Sequence, residues 1–253
     1  MKVREVIEAL EHFAPLPLQE SYDNAGLQCG LTEAEVSGAL LCLDVTEEVL
    51  REAIDLGCNM VVAHHPLLFR PLRQVTDATE PERCLRLALQ NDIAVYAAHT
   101  NLDNAEDGVN YMMAEKLGLM DVVPLQGGGV LGYLPAGEPS EFFLERVKET
   151  FRCPCLMPNR MLERPIESVA ICGGAGDFQL EEALRQEADA FLTGEMHYHR
   201  YFGCEGRIQI GVLGHYESEQ FTVELLNRVL GDRLPNLPLY MTEVNTNPIN
   251  YLI

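Results

Sequence analysis

Positive charge is what this 253-residue chain has least of: 18 lysines and arginines stand against 39 aspartates and glutamates, a formal charge of −21. A field of that sign repels phosphate backbones and argues against stable nucleic-acid binding, while it attracts metal cations. Long apolar runs are missing too. No segment reaches the roughly 20 residues that a membrane-spanning helix needs, and Met1-Lys2-Val3-Arg4-Glu5 opens without an apolar signal segment. The expectation is a soluble, cytoplasmic protein that does not contact a membrane. Eight cysteines are present, but they are scattered along a chain too long to need a disulfide framework. Cys42, Cys58 and Cys172 lie in or beside apolar runs and read as small buried hydrophobes. Cys153-Pro154-Cys155 is the one close pair, with no second pair to complete a zinc site. There is no serine elbow. Gly173-Gly174-Ala175-Gly176-Asp177 lacks both the third glycine of a dinucleotide fingerprint and a following Lys-Ser/Thr. Asp177 would place negative charge where a phosphate would sit, so a tight turn with Asp177 capping the next helix is expected.

What is present is alternation of strands and helices. Val3, Val6, Ile7 and Leu10 have helical spacing. Apolar runs at 39–43, 60–63 and 93–98 read as strands, and between them lie helices starting after Thr46 and near Pro81. A further helix is expected over 107–117, closed by Gly118. Strands interleaved with helices predict an α/β fold with a largely parallel sheet. Gln126-Gly127-Gly128-Gly129 is the clearest punctuation, and a domain boundary is placed there: 1–126 and 127–253. After it come strands at 130–134, 169–171, 190–192 and 208–213, helices from Ser140 and Leu180, and a long helix from Glu217. A last strand is expected within 239–244, and segment 213–253 is a candidate to pack back on the first domain.

Histidine marks the strand ends. One run stops in His64-His65-Pro66, a second in His99-Thr100-Asn101-Leu102-Asp103, and a third in Gly214-His215-Tyr216-Glu217-Ser218-Glu219. In an open parallel sheet ligands bind outside the carboxyl ends of strands, and backbone alternation sends the His64 and His65 rings in different directions. His215 and Glu219, four apart at a helix start, share one face. Such a set of imidazoles and carboxylates suits divalent transition metals (zinc, iron or manganese) without choosing among them. It exceeds what one tetrahedral ion needs, so two ions are expected, with Glu219 as the bridging carboxylate. His12 is an ordinary helix histidine by the same reasoning. Thr193-Gly194-Glu195, with His197 and His199 following, ends another strand. Glu195 and His199 are candidates for the cleft wall or for proton transfer, a solvated loop being the alternative.

Tyr22-Asp23-Asn24-Ala25-Gly26-Leu27-Gln28, His64-His65-Pro66, His99-Thr100-Asn101-Leu102-Asp103, Thr193-Gly194-Glu195 and Gly214-His215-Tyr216-Glu217-Ser218-Glu219 occur in that order. With them the chain resembles, over nearly its whole length, the NGG-interacting-factor-three-like family, also labelled GTP cyclohydrolase I type 2 homologues, in the short form without a central insertion. The resemblance implies two similar α/β domains with a dinuclear metal centre in the cleft between them. It gives His64, Asp103 and Glu219 to one ion and His65, His215 and Glu219 to the other. It also implies a toroidal homohexamer built from dimers. The family usually carries tryptophan where Tyr22 stands, and this chain has no tryptophan.

By the same resemblance the chain is a dinuclear metal-dependent hydrolase acting on a small molecule, a nucleotide such as GTP. A metal-activated hydroxide would open the purine's imidazole ring with loss of formate, and His99 would relay a proton or orient Asp103. Two other readings stay open: a metal-dependent phosphoesterase, and a non-enzymatic metal-binding scaffold.

Overall fold

Val3, Val6 and Leu10 are buried on one face of α1 (Val3–Phe13), as their spacing predicts, and the Glu5 carboxylate accepts from the Lys2 N–H at its start. The computed structural model describes residues 1–252. Two units compose it: Met1–Ala105 with Thr222–Asn247, and Glu106–Phe221 with the residues from Pro248 onward.

In the first unit, β1 (Gly26–Cys29) and β2 (Ala39–Cys42) precede α2 (Glu47–Asp55). The Thr46 hydroxyl accepts from the Val49 N–H at 3.2 Å, Glu47 and Glu48 occupy the first turn, and Gly57 leaves the helix at φ +73°. Cap, acidic first turn and left-handed exit are the signals read from the sequence. β3 (Met60–Ala63), α3 (Glu80–Gln90), β4 (Ala94–Ala97) and the single-turn α4 (Thr100–Asp103) follow. Arg83 of α3 donates to Glu47 of α2 at 2.6 Å, which joins the two helices on one side of the sheet.

In the second unit come α5 (Val109–Lys116), β5 (Met120–Pro124), β6 (Val130–Glu138), α6 (Ser140–Thr150), β7 (Met157–Pro158), β8 (Ile166–Cys172), α7 (Leu180–Arg185), β9 (Ala190–Thr193), β10 (Gln209–Val212) and α8 (His215–Glu219). The chain then returns to the first unit as α9 (Thr222–Arg233) and β11 (Leu239–Met241).

The first sheet has the order β1-β4-β3-β2-β11 and is parallel except for β1. The second, β5-β6-β8-β9-β10-β7, has a parallel centre in β8, β9 and β10, with antiparallel strands at both edges. The fold is thus mixed α/β with two sheets, as expected, and the central strands of each sheet are parallel, with the short parallel β11 at one edge of the first. β2, β3, β4, β9 and β10 are buried at every residue, which is why, apart from Thr193 and Gln209, no polar side chain interrupts them in the sequence. One core gathers Leu40, Val49, Val61, Cys84 and Val95; the other gathers Leu131, Ala170, Phe191, Ile208 and Ile210.

Three expectations differ from the structure. The glycine run lies inside the second unit as the turn between β5 and β6, with Gly127, Gly128 and Gly129 all at positive φ. Its flexibility serves a hairpin rather than a linker. The helix expected from Glu217 is two helices, α8 and α9, and the break at Gln220–Phe221 coincides with the crossing from one unit to the other. Asp177 does not cap α7: its carboxylate accepts from the His197 N–H at 3.1 Å and binds His197 Nδ1 at 2.5 Å.

Candidate functional site

The ladder of the first sheet runs past β3. The His64 N–H donates to the Cys42 carbonyl (3.2 Å) and the His65 N–H to the Leu43 carbonyl (2.9 Å), so both backbones are fixed where their side chains leave the sheet. His64 is fully buried and its ring centroid lies 4.8 Å from that of His65. His99 follows β4, and its ring lies 5.3 Å from His64 and 5.4 Å from His65, steeply inclined to both. One ring nitrogen from each of the three histidines falls within 4.8 Å of the others. His64 Nε2 is 3.7 Å from Asp103 Oδ1 at the end of α4.

Each ring is held at Nδ1. His64 Nδ1 meets the Ala98 carbonyl at 2.8 Å, His65 Nδ1 meets Asp44 Oδ1 at 2.7 Å, and His99 Nδ1 meets Asp23 Oδ1 at 2.7 Å. A carbonyl or an ionised carboxylate can only accept, so the proton of each neutral imidazole sits on Nδ1 and the ligating lone pair is directed to Nε2. This is the arrangement by which metal-binding histidines are oriented and made more basic.

Asp23 and Asp44 are themselves anchored. Asp23 has a fully buried side chain and also accepts from the Thr100 N–H (3.1 Å) and hydroxyl (2.5 Å). Burial pushes its carboxyl up, but the hydrogen bonds from His99 and Thr100 outweigh that and hold it at about 2. Burial likewise raises Asp44, and hydrogen bonds from His65 and Thr246 more than offset it, leaving its carboxyl below the ordinary value.

The second unit builds a matching pair. Leu213 and Gly214 extend the ladder beyond β10 by donating to Thr193 and Gly194 at 2.9 and 3.1 Å, and Gly214 turns the chain at φ +111° into α8. His215 Nε2 then lies 3.1 Å from Glu219 Oε2, one helical turn on, while His215 Nδ1 meets Glu195 Oε1 at 2.7 Å. Glu219 is buried and His215 about one-third exposed. The turn at 173–176 forms the floor beneath α8. The Gly174 N–H donates to the Ser218 hydroxyl at 3.0 Å, and a side chain at Gly174 would strike the Glu219 carboxylate.

The sequence-based candidates are thus supplied by both units. His64, His65, His99 and Asp103 gather in the first unit; His215, Glu219 and Glu195 gather in the second, with Glu195 holding His215. His199 sits on the exposed turn Tyr198–Tyr201, its ring 5.2 Å from Tyr198 and 6.2 Å from Phe202. The carboxylates Asp23 and Asp44 were not singled out from sequence.

The donor set, imidazole Nε2 with carboxylate oxygen, fits intermediate divalent ions such as zinc, iron or manganese. Among the described residues, no helix is long and apolar enough to cross a membrane.

Residues 1–248 match the sequence profile of the Duf34/NIF3 (NGG1p interacting factor 3) family. The chain is 32% identical to the "GTP cyclohydrolase 1 type 2 homolog" of Clostridium acetobutylicum, with 99% of each chain covered. It is 28% identical to "NIF3-like protein 1" of Drosophila melanogaster, over 98% of this chain and 88% of that protein. Its fold superimposes on the crystal structure of Staphylococcus aureus protein SA1388 with a TM-score of 0.91 and 26% identity, covering 100% and 99% of the two chains. On the profile match, the near full-length relatives and the shared fold, the chain belongs to the Duf34/NIF3 family.

Proposed function

We propose that the two ligand sets complete one dinuclear centre and that the protein is a metal-dependent hydrolase of the GTP cyclohydrolase 1 type 2 kind. His64, Asp103 and Glu219 hold one divalent ion and His65, His215 and Glu219 the other. The observation that carries this reading is the Nδ1 anchoring of His64, His65 and His215 by Ala98, Asp44 and Glu195. Orienting three imidazoles through acceptors on neighbouring segments is costly to build and serves Nε2 ligation. When bound, the ions supply Lewis acidity and lower the pKa of a coordinated water toward neutrality.

The chain's own residues do the rest. Asp103 and Glu219 carry one negative charge each, so two dications are only partly neutralised and the centre stays electrophilic. Glu195 positions His215 through its Nδ1. His99, with its proton fixed at Nδ1 by Asp23, presents Nε2 as an acceptor beside the ligands, suited to taking a proton from the nucleophile and returning it to the leaving group. The similarity to proteins named GTP cyclohydrolase 1 type 2 homologs supports a nucleotide as substrate, and assembly into a homohexamer belongs to the same reading.

Metal content per chain, measured on protein purified without chelator or affinity tag beside a Glu219→Ala variant, tests the centre. About two equivalents in the wild type, lost in the variant, are expected. No metal after reconstitution with zinc, iron and manganese would end the proposal. With metal in place, formate released from GTP supports the ring-opening reaction, whereas phosphate released from simple phosphoesters would reassign the chemistry. Bound metal with neither product would make the protein a scaffold.

A further inference from the structure

We propose that Tyr22 and Phe69 form an aromatic slot beside the imidazole cluster that receives the planar heteroaromatic ring of a nucleotide. The inference rests on the reading of that cluster as the reactive centre, and it assigns the base-binding element.

Two large rings stand in solvent where water gains nothing from them: Tyr22 is 64% exposed and Phe69 44%. They are not scattered surface aromatics. Their centroids are 6.5 Å apart at 73°, and Phe69 in turn lies 6.0 Å from His99 at 89°. The partly exposed Phe69 ring presents surface on which a third ring can stack offset, and nucleobases stack on aromatic rings whatever their hydrogen-bonding pattern. His99 Nε2 beside it is an acceptor for a ring N–H or exocyclic amine of the base.

The spacing of the two rings is built in. The Asn24 side-chain amide donates to the Leu68 carbonyl at 2.8 Å, and the Leu68 N–H donates to Gln28 Oε1 at 3.1 Å. The Gln28 amide returns to the carbonyls of Asn24 and Gly26 at 2.7 and 3.1 Å. Asp23, next to Tyr22, holds His99. One polar lattice therefore fixes Tyr22, Phe69 and His99 relative to one another. Ordering an exposed loop in advance removes a cost that ligand binding would otherwise meet. Arg70 and Arg73 follow Phe69 on the same exposed segment. In a chain of net charge −21 they are suited to the phosphates of a nucleotide.

Calorimetric titration of the metal-loaded full-length protein with GTP, guanosine and inorganic tripolyphosphate tests the slot. Wild type is expected to bind GTP about ten-fold more tightly than tripolyphosphate, the size of one base stack. Phe69→Ala and Asn24→Ala should each erase that preference and weaken guanosine by a similar factor, with metal content and tripolyphosphate affinity unchanged. Phe69→Tyr, which keeps the ring, should retain the preference. Equal losses for GTP and tripolyphosphate, or a wild type with no base preference, would overturn the slot. A Phe69→Ala variant that changes mass by light scattering yet keeps the base preference would assign these rings to contacts between copies, also overturning it. Guanosine titrated into chelator-treated protein reads the slot without metal, so a failure of the metal centre and a failure of the slot are separate results.

Discussion

Replacing Asp23 by Asn removes one charge from a fully buried carboxylate that binds His99 and Thr100. Its carboxyl sits at about 2 in the folded protein against an ordinary 3.8. A folded-state value below the unfolded one means the unfolded chain takes up protons first. The stabilisation is therefore complete above the unfolded value and is lost as pH falls from about 5 toward 2. At 1.36 kcal/mol per pKa unit the contribution is on the order of 2 kcal/mol at neutral pH. Urea unfolding of chelator-treated wild type and Asp23→Asn, followed at several values between pH 7 and pH 3, measures it without metal linkage. The variant should trail by about 2 kcal/mol at pH 7, and the gap should narrow by roughly 1 kcal/mol at pH 3. A gap that does not change with pH would show that Asp23 acts through shape and not through charge, and the electrostatic account of the His99 anchor would fall.

Two further perturbations follow from the anchors and the turn under α8. Asp44→Asn should leave the fold intact but weaken metal binding about 10- to 100-fold, because His65 loses the charged partner of its Nδ1; a chelator competition assay reads this directly, and unchanged affinity would remove Asp44 from the site. Gly194→Ala should place a methyl carbon 2.6 Å from the Gly174 carbonyl and 2.7 Å from the Ser218 hydroxyl. Overpacking of that kind costs about 1–3 kcal/mol, so the melting temperature should fall and metal content should drop as α8 shifts; a variant with wild-type metal content would show that the helix tolerates the displacement.

The elements that could be read from sequence are those whose local signals agree with their packing. α2 has its hydroxyl cap, acidic first turn and left-handed exit glycine, and β2, β3 and β4 are unbroken apolar runs because both faces are covered. What could not be read is what only tertiary pairing defines. β5 is a strand despite being mostly exposed, with Asp121 at φ +50°, and β7 is two residues long; each exists because a neighbour in the sheet offers it a ladder. The same cause misplaces the domain boundary: three consecutive glycines look like a linker until β5 and β6 are seen to pair across them. The division at Gln220–Phe221 carries no glycine or proline to announce it.

The candidate ligands were legible and their anchors were not, yet both obey one rule of register. In the first sheet Cys42 pairs with Ala63, so Asp44, two residues past Cys42, comes beside His65, two past Ala63. Ala63 pairs with Ala97, so Ala98 and His64, each one residue further, also meet. In the second sheet Thr193 pairs with Val212, and Glu195 reaches His215 just beyond those ends. Parallel strands in register end side by side, so whatever residue continues one strand becomes the neighbour of whatever continues the next. Each of these histidines therefore draws its Nδ1 partner from the adjacent strand's end, 20, 21 or 34 residues away in the chain, and no local motif records the pairing. These Nδ1 partners become readable once the strand order is known. It follows that moving the Asp44 carboxylate one position along the chain, to Leu43 or Val45, should fail to restore the metal affinity lost in Asp44→Asn, because alternation would send it to the opposite face of the sheet.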